Sequence, residues 1–443
     1  MTWSLESLRP TEKSFVEAWQ AANGRVLNGS NPNLAAARIS AIERFAAIGL
    51  PLEKEEAWKY TNIRRLLDAW AGSDPLAAST LPDQDTVADA SMTGRDAVRL
   101  VLVNGRFEPL LSTLDQLPAG LTISSLGDAA ASSPELFAKS FGKARPDGSD
   151  GLVALNSAFA QGGLFLRVAK GRMIETPIEL VHLATATSKA FVQPRTLCVV
   201  EAGAAVRLVE TYRSRAGGPV FTNAVVEVIV DRDAHVDHVR VVDESIDSVH
   251  VHYLQVRQLA SSVFSTASFV LGGGTVRSDA YILPDAEFCE THLNGFYYAA
   301  GTTHVDNHTM VDHAKPNCES NELYKGILDG HATGVFNGKV LVRQDAQKTN
   351  AYQKNKSVVL SATARMFSKP ELEIYADDVK CSHGATTGKL DDDAFFYLRS
   401  RGIPPARARL LLLQAFAGDV FELVKDEVLR DRLAVRLEEL LYA

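Results

Sequence analysis

The chain has 443 residues, 23% of them charged and 46% hydrophobic, with a formal net charge of -8 and a pI of about 5.8. That length suits about three domains of roughly 150 residues each and is enough to bury a sizeable core. The acidic balance excludes a general binder of nucleic-acid backbone, which needs a basic surface, and four cysteines without a CxxC pair are too few for a disulfide scaffold.

No basic segment followed by an apolar one opens the chain, so a cytoplasmic protein with reduced thiols is expected. Residues 1–75 read as helical. Phe15, Ala18, Trp19 and Ala22 recur at helical spacing, as do Ile39, Ile42, Phe45 and Ala46. Pro51 breaks the pattern, and a further helical stretch is expected from about Glu53 to Ala71. Residues 72–95 read as a linker. The apolar run Leu100–Val103 ends in an Asn104-Gly105 turn, and residues 126–150 read as loop. From about Leu152 short runs rich in Val, Ile, Thr, Phe and Tyr dominate: Ala205–Val209, Ala224–Val230, His235–Val242, Val249–Val256 and Val263–Leu271. No gap there carries a long helical pattern, which argues against crossover helices and for an all-β body of roughly fifteen strands. A sandwich, a propeller and a β-helix all fit, since no repeat of fixed length is visible.

Helices return at the end. Asp391-Asp392-Asp393 supplies a cap, Gly402 a stop and Pro404-Pro405 a second start. Leu413, Phe416, Ala417 and Val420 share a face, and Leu429, Leu433, Leu437, Leu440 and Leu441 mark a last helix. The surplus of apolar surface either packs on the β body or docks a partner. The richest apolar stretch, Leu410 to Phe416, is far shorter than the ~20 residues a membrane span requires.

Few residues carry chemistry. Gly334-Val335-Phe336-Asn337-Gly338-Lys339-Val340 falls short of a phosphate-binding loop by one residue between the glycines and lacks the Ser or Thr that would hold magnesium, so any nucleotide hydrolysis must come from another chain. Asn337-Gly338 reads as a tight turn. His304 and His308 would share one face of a strand and His313 would not, which fits hydrogen-bonded histidines better than a zinc site. Cys289 and Cys318 read as small buried hydrophobes. Asp377 and Asp378 could form a carboxylate pair in a β-helix carbohydrate-active enzyme, although neighbours on a strand diverge. The most pointed cluster is Cys381-Ser382-His383-Gly384. On an extended chain Cys381 and His383 face the same way, a thiol and an imidazole suited to zinc or to iron in a sulfur-rich site. Two ligands leave a tetrahedral centre half built, against the alternative of a structural cysteine beside an ordinary histidine.

Several strings resemble the SufB/SufD family of iron–sulfur cluster assembly scaffolds. They are His304-Val305-Asp306-Asn307-His308 with Val311-Asp312-His313, Pro316-Asn317-Cys318-Glu319-Ser320, Glu322-Leu323-Tyr324-Lys325-Gly326, Gly334 to Lys339, and Asp345-Ala346-Gln347-Lys348-Thr349. LEIYADDVKCSHGAT from Leu372 to Thr386 is the strongest, and FFYLRSRGI from Phe395 to Ile403 completes the set. The match runs in order over roughly residues 150–443. CSHGAT resembles the SufD branch, and no counterpart is found of the additional cysteine that receives sulfur in the SufB branch.

The resemblance implies a mainly β fold, a right-handed parallel β-helix over 151–390 between an N-terminal helical and mixed region (1–150) and a C-terminal helical module (391–443). It implies a non-catalytic scaffold that pairs with SufB through its last strands and docks the ATPase SufC through the C-terminal helices, with a SufD homodimer as the alternative assembly. His383 is then a ligand of a transient iron–sulfur cluster shared with SufB, with Cys381 beside it. A link to reduced flavin is also implied, without a binding motif in this chain.

Overall fold

A computed structural model describes residues 8–27, 31–73, 81–145, 150–160, 162–185, 189–214 and 218–442. The apolar runs after residue 160 form seventeen strands among the described residues, and from Arg195–Val200 onward successive strands fall alternately into two sheets. These strands pair with one another in parallel: His304–His313 lies between Thr275–Pro284 and Thr333–Val342, and Glu319–Leu328 between Glu290–Ala299 and Asn350–Val359. The result is a parallel β-solenoid of about seven turns, one of the three architectures the strand pattern allowed.

The turn length explains why no repeat shows in the sequence. Val249 pairs with Phe221 and with Thr275, offsets of 28 and 26 residues, whereas Thr333 pairs with Arg365, an offset of 32. The strands stay near ten residues, so the corners absorb the variation. One corner stacks a left-handed residue per turn, at Gly203, Asp233, Ser261, Phe288, Asn317 and Lys348. There the Asp233 amide donates to Ala260 O at 2.9 Å and the Asn317 amide to Gln347 O at 2.9 Å, so each corner is fixed by the next.

Both outer faces of the solenoid are apolar and both are covered by helices. Pro10–Leu27, Pro32–Ile48 and Gly151–Phe159 bury Phe15, Phe45, Leu152 and Leu155 against Phe191, Phe221, Val249 and Val251 of one sheet. Pro405–Phe421 and Glu427–Tyr442 bury Leu413, Ala417, Leu429 and Leu433 against Val241, Phe269, Phe296 and Ile327 of the other. Much of the C-terminal leucine surplus is used inside the chain. Burying one such side chain contributes about 1.5–3 kcal/mol.

Three local expectations are corrected. The helix expected from Glu53 to Ala71 is broken into Glu56–Trp58, Ile63–Leu67 and Asp68–Trp70. Thr61, between them, donates its hydroxyl to Asp306 at 2.5 Å on the solenoid, a tertiary contact that periodicity does not reveal. In the linker expected over 72–95, residues 74–80 lie outside the described residues. The rest contains the helix Gln84–Ala90, capped by Asp83 and buried through Val87 and Ala90 on Val101 and Val181. In the loop expected over 126–150, residues 146–149 lie outside the described residues. Leu126–Ser132 and Pro134–Ser140 are short helices that seat Leu126, Ala130 and Phe137 on Phe165 and Leu197. At Asn104-Gly105 the expected turn is found, both residues left-handed, joining Val98–Val103 to Arg106–Phe107.

The two ends of the solenoid differ. At the first, antiparallel strands Arg106–Phe107 and Leu121–Ser125 flank the sheets, and Leu114, Leu117 and Leu121 pack on the core. At the other, Arg365–Ile374 and Lys380–Gly388 each have one neighbour only among the described residues.

Candidate functional site

Cys381 and His383 both lie on Lys380–Gly388, the last strand, at the open end. The chain does not run extended from Leu372 into them: it turns a corner at 375–379 and enters the other sheet. They still share a face, because strand side chains alternate. Cys381 is registered over Ala351 and His383 over Gln353. Ala351 is fully buried and Gln353 is 1% exposed, so this face is the solenoid interior. At its open end the interior becomes a mouth. Cys381 is half-buried against Ala351, Leu372 and Val379, and His383 is exposed. Burial pushes the Cys381 thiol up, opposed by a backbone hydrogen bond from Ala351. A Cβ at Gly384, on the opposite face of the strand, would meet nothing within 4 Å.

Beneath the pair runs a column of buried polar side chains. Gln353 Nε2 donates to Glu322 Oε2 at 2.7 Å, and Thr309 Oγ1 donates to Glu322 Oε1 at 2.6 Å. Burial raises the Glu322 carboxyl to about 7, against the lowering effect of those two bonds. Gln353 Oε1 is buried and has no hydrogen-bond partner among the described residues. Gly338 faces this amide. The Asn337-Gly338 pair read as a turn is in fact in the middle of Thr333–Val342, and a Cβ at Gly338 would collide with Gln353 Nε2. Periodicity gave no hint of Glu322 or Gln353. Only a strand register one turn apart brings them under His383.

The other candidates are placed elsewhere. Asp377 and Asp378 lie exposed on the corner, where the Asp378 carbonyl accepts from the Lys348 amide at 2.6 Å. His304 Nε2 is 2.8 Å from Thr61 Oγ1, His308 Nε2 is 2.8 Å from Asp306 Oδ1, and His313 Nε2 is 2.9 Å from Ser320 Oγ. His313 is buried inside while His304 and His308 face out, as the alternation requires. Cys289 and Cys318 are fully buried on successive turns, and each thiol donates to Ala286 O at 3.2 Å. Among the described residues no three His, Cys, Asp or Glu side chains are grouped to hold a metal ion, and no helix is long and apolar enough to cross a membrane.

The free edges have a defined chemistry. Lys380 donates its amide to Thr349 O at 2.9 Å, so in this parallel ladder Lys380 and every second residue bond inward. The amides of Cys381, His383, Ala385 and Thr387 point outward. On the other edge Arg365 donates to Ala332 O and Tyr375 to Val342 O, which turns Pro370 outward, where a missing N–H disturbs nothing inside.

Comparison with known proteins agrees with this architecture. Residues 182–416 match the SufBD core domain of the SUF iron–sulfur cluster assembly system, and residues 9–180 match the SufBD protein N-terminal region. An iron–sulfur cluster assembly SufBD family protein of Synechocystis is 34% identical over 406 residues, covering 89% of this chain and 88% of its own. The iron–sulfur cluster assembly protein SufD of Escherichia coli is 30% identical over 399 residues, covering 89% and 90%. The SufD of Bacillus subtilis is 28% identical over 424 residues, covering 90% and 92%. Two domain matches that together span most of the solenoid and its N-terminal cover, and full-length relatives at these identities, make the chain a member of the SufBD family of iron–sulfur cluster assembly proteins.

Proposed function

We propose that this chain is a SufD-type scaffold subunit that pairs with SufB through the open end of its solenoid, docks the ATPase SufC through its C-terminal helices, and contributes His383 to a nascent iron–sulfur cluster. The observation that carries the reading is the asymmetry of the solenoid: one end is flanked by antiparallel strands and the other ends in unpaired edges with the Cys381/His383 mouth between them. A stack of parallel turns needs a cap at each end, and an uncapped sheet edge is a template for a further strand. The outward amides of Lys380–Gly388 suit such pairing, while Pro370 blunts the other edge.

His383 then supplies one ring nitrogen at the seam, with the remaining cluster ligands on SufB. Cys381 is its neighbour. Burial favours its protonated thiol, so a metal ion binding there would have to displace the proton. The helix Asp392–Ser400 buries none of its residues and leaves Phe396 73% exposed and Tyr397 56% exposed, an apolar surface on the module assigned to SufC. The scaffold has no phosphate-binding loop, since the nearest string lies within a strand. On this reading the chain is a non-catalytic cytoplasmic subunit, with ATP hydrolysis on SufC. A second copy of this chain at the same edge is the competing assembly.

Co-expression with SufB and SufC, followed by pull-down and analysis of iron and acid-labile sulfide, tests the reading. His383→Ala should leave the complex intact and reduce bound iron and sulfide to background. A His383→Ala complex that matures clusters normally removes the site assignment. Recovery of this chain only as a homodimer removes the pairing.

A further inference from the structure

We infer that Gln353 is the residue that orients His383, and that Glu322 holds Gln353 in the required position. This deepens the proposed function and rests on its assignment of His383 as a cluster ligand.

Gln353 sits directly beneath His383 in the ladder, on the same inward face. Adjacent strands lie about 4.8 Å apart, within reach of a side-chain hydrogen bond. The Gln353 amide is not free to choose which end it presents. Glu322 already accepts the Thr309 hydroxyl on one oxygen, and its other oxygen accepts Gln353 Nε2. With Nε2 donating to Glu322, Oε1 is left as the free end of the amide. Oε1 is buried without a partner among the described residues, and it belongs to the residue registered directly beneath His383. Gly338 supplies a second, independent sign that the position is specified. It withdraws its side chain where the amide needs room, since any Cβ there would meet Gln353.

A histidine that binds a metal through one ring nitrogen almost always donates its other N–H to a carbonyl or carboxylate, which fixes tautomer and ring direction. Gln353 Oε1 is that acceptor for His383. With one N–H turned down onto Oε1, the other nitrogen presents its lone pair outward at the mouth. Gln353 and Glu322 touch no iron themselves; they are positioning residues.

The test uses the full complex co-expressed with SufB and SufC and reads iron binding by titration, complex recovery and melting temperature. Gln353→Leu keeps the volume but removes the acceptor, and should weaken iron binding about tenfold or more while the complex is still recovered. Glu322→Gln lets the two amides pair in either orientation and should give a smaller loss. The exchanged pair, Glu322→Gln with Gln353→Glu, restores a donor below and an acceptor above, and should recover most of the binding. A purely structural role predicts no such recovery. If Gln353→Leu binds iron as the parent does while His383→Ala has lost it, the inference fails and the site assignment stands. If His383→Ala also binds normally, the site assignment itself has failed. Should Gln353→Leu not fold, the exchanged pair decides: recovery supports the inference, and a loss equal to that of His383→Ala overturns it.

Discussion

Glu322 illustrates how one side chain can carry both a stability and a pH signature. Its carboxyl is raised from 4.5 to about 7, chiefly by burial. Between those values the folded chain keeps a proton that the unfolded chain has released. Stability therefore falls as pH rises from about 4.5 to 7, by up to about 1.4 kcal/mol per unit, and is flat above that for this group. The buried histidines act with the opposite sign. Burial lowers His182 to about 4, His252 to about 3 and His313 to about 4, so each contributes stability that is lost as pH falls below 6.5. Glu322→Gln leaves those histidines untouched. Urea unfolding of the variant and parent at pH 5 and pH 8 separates the effects: the variant should gain on the parent at pH 8 and lose that advantage at pH 5. An equal difference at both values would show that the carboxyl is not displaced.

At the scale of the element, the strands fit each other through pairs of a glycine and an aromatic one turn away. Gly295 leaves room for the Tyr324 ring, and Gly326 for the Tyr297 ring. A glycine inside a strand weakens it unless something occupies the space it leaves. Gly326→Ala would force the new methyl into Tyr297 and should cost about 1–3 kcal/mol. In a Tyr297→Leu background the same change should cost clearly less, a coupling that denaturant melts of the four proteins can measure. These pairs also mark where sequence reading stops. Strand existence was legible in runs such as Val249–Val256, because an interior and a covered outer face both demand apolar residues. The glycines in those strands were ambiguous. Asn337-Gly338 has the composition of a turn, yet Gly338 serves a side chain of the neighbouring sheet that no local pattern connects to it. The short helices at 126–140 were missed for a related reason: weak Ala/Ser segments are held by Phe165 and Leu197, far along the chain. At the site, the common facing of Cys381 and His383 followed from their two-residue spacing. Gln353 and Glu322 did not, since they lie 30 and 61 residues away and the corner lengths that set the register vary.

For the whole molecule, the determining feature is that helices cover the sides of the solenoid while one end stays open. An isolated protein gains nothing from a free parallel edge, and such edges invite unwanted pairing. Here one edge carries Pro370 at an outward position, which spoils continuation of that sheet, while Lys380–Gly388 has four outward amides and no proline. The proposed pairing with SufB is therefore expected to run along Lys380–Gly388. Ala385→Pro tests this directly. Its amide points away from Asn350–Val359, so proline there removes no bond inside the chain. The melting temperature of the isolated variant should stay close to that of the parent. Recovery of SufB in pull-down should fall by at least about tenfold, the equivalent of 1.4 kcal/mol. Gly384→Pro is the matched control, since the Gly384 amide bonds inward and its loss should lower the melting temperature. Undiminished SufB recovery with a stably folded Ala385→Pro chain would place the partner elsewhere and remove the proposed seam at His383.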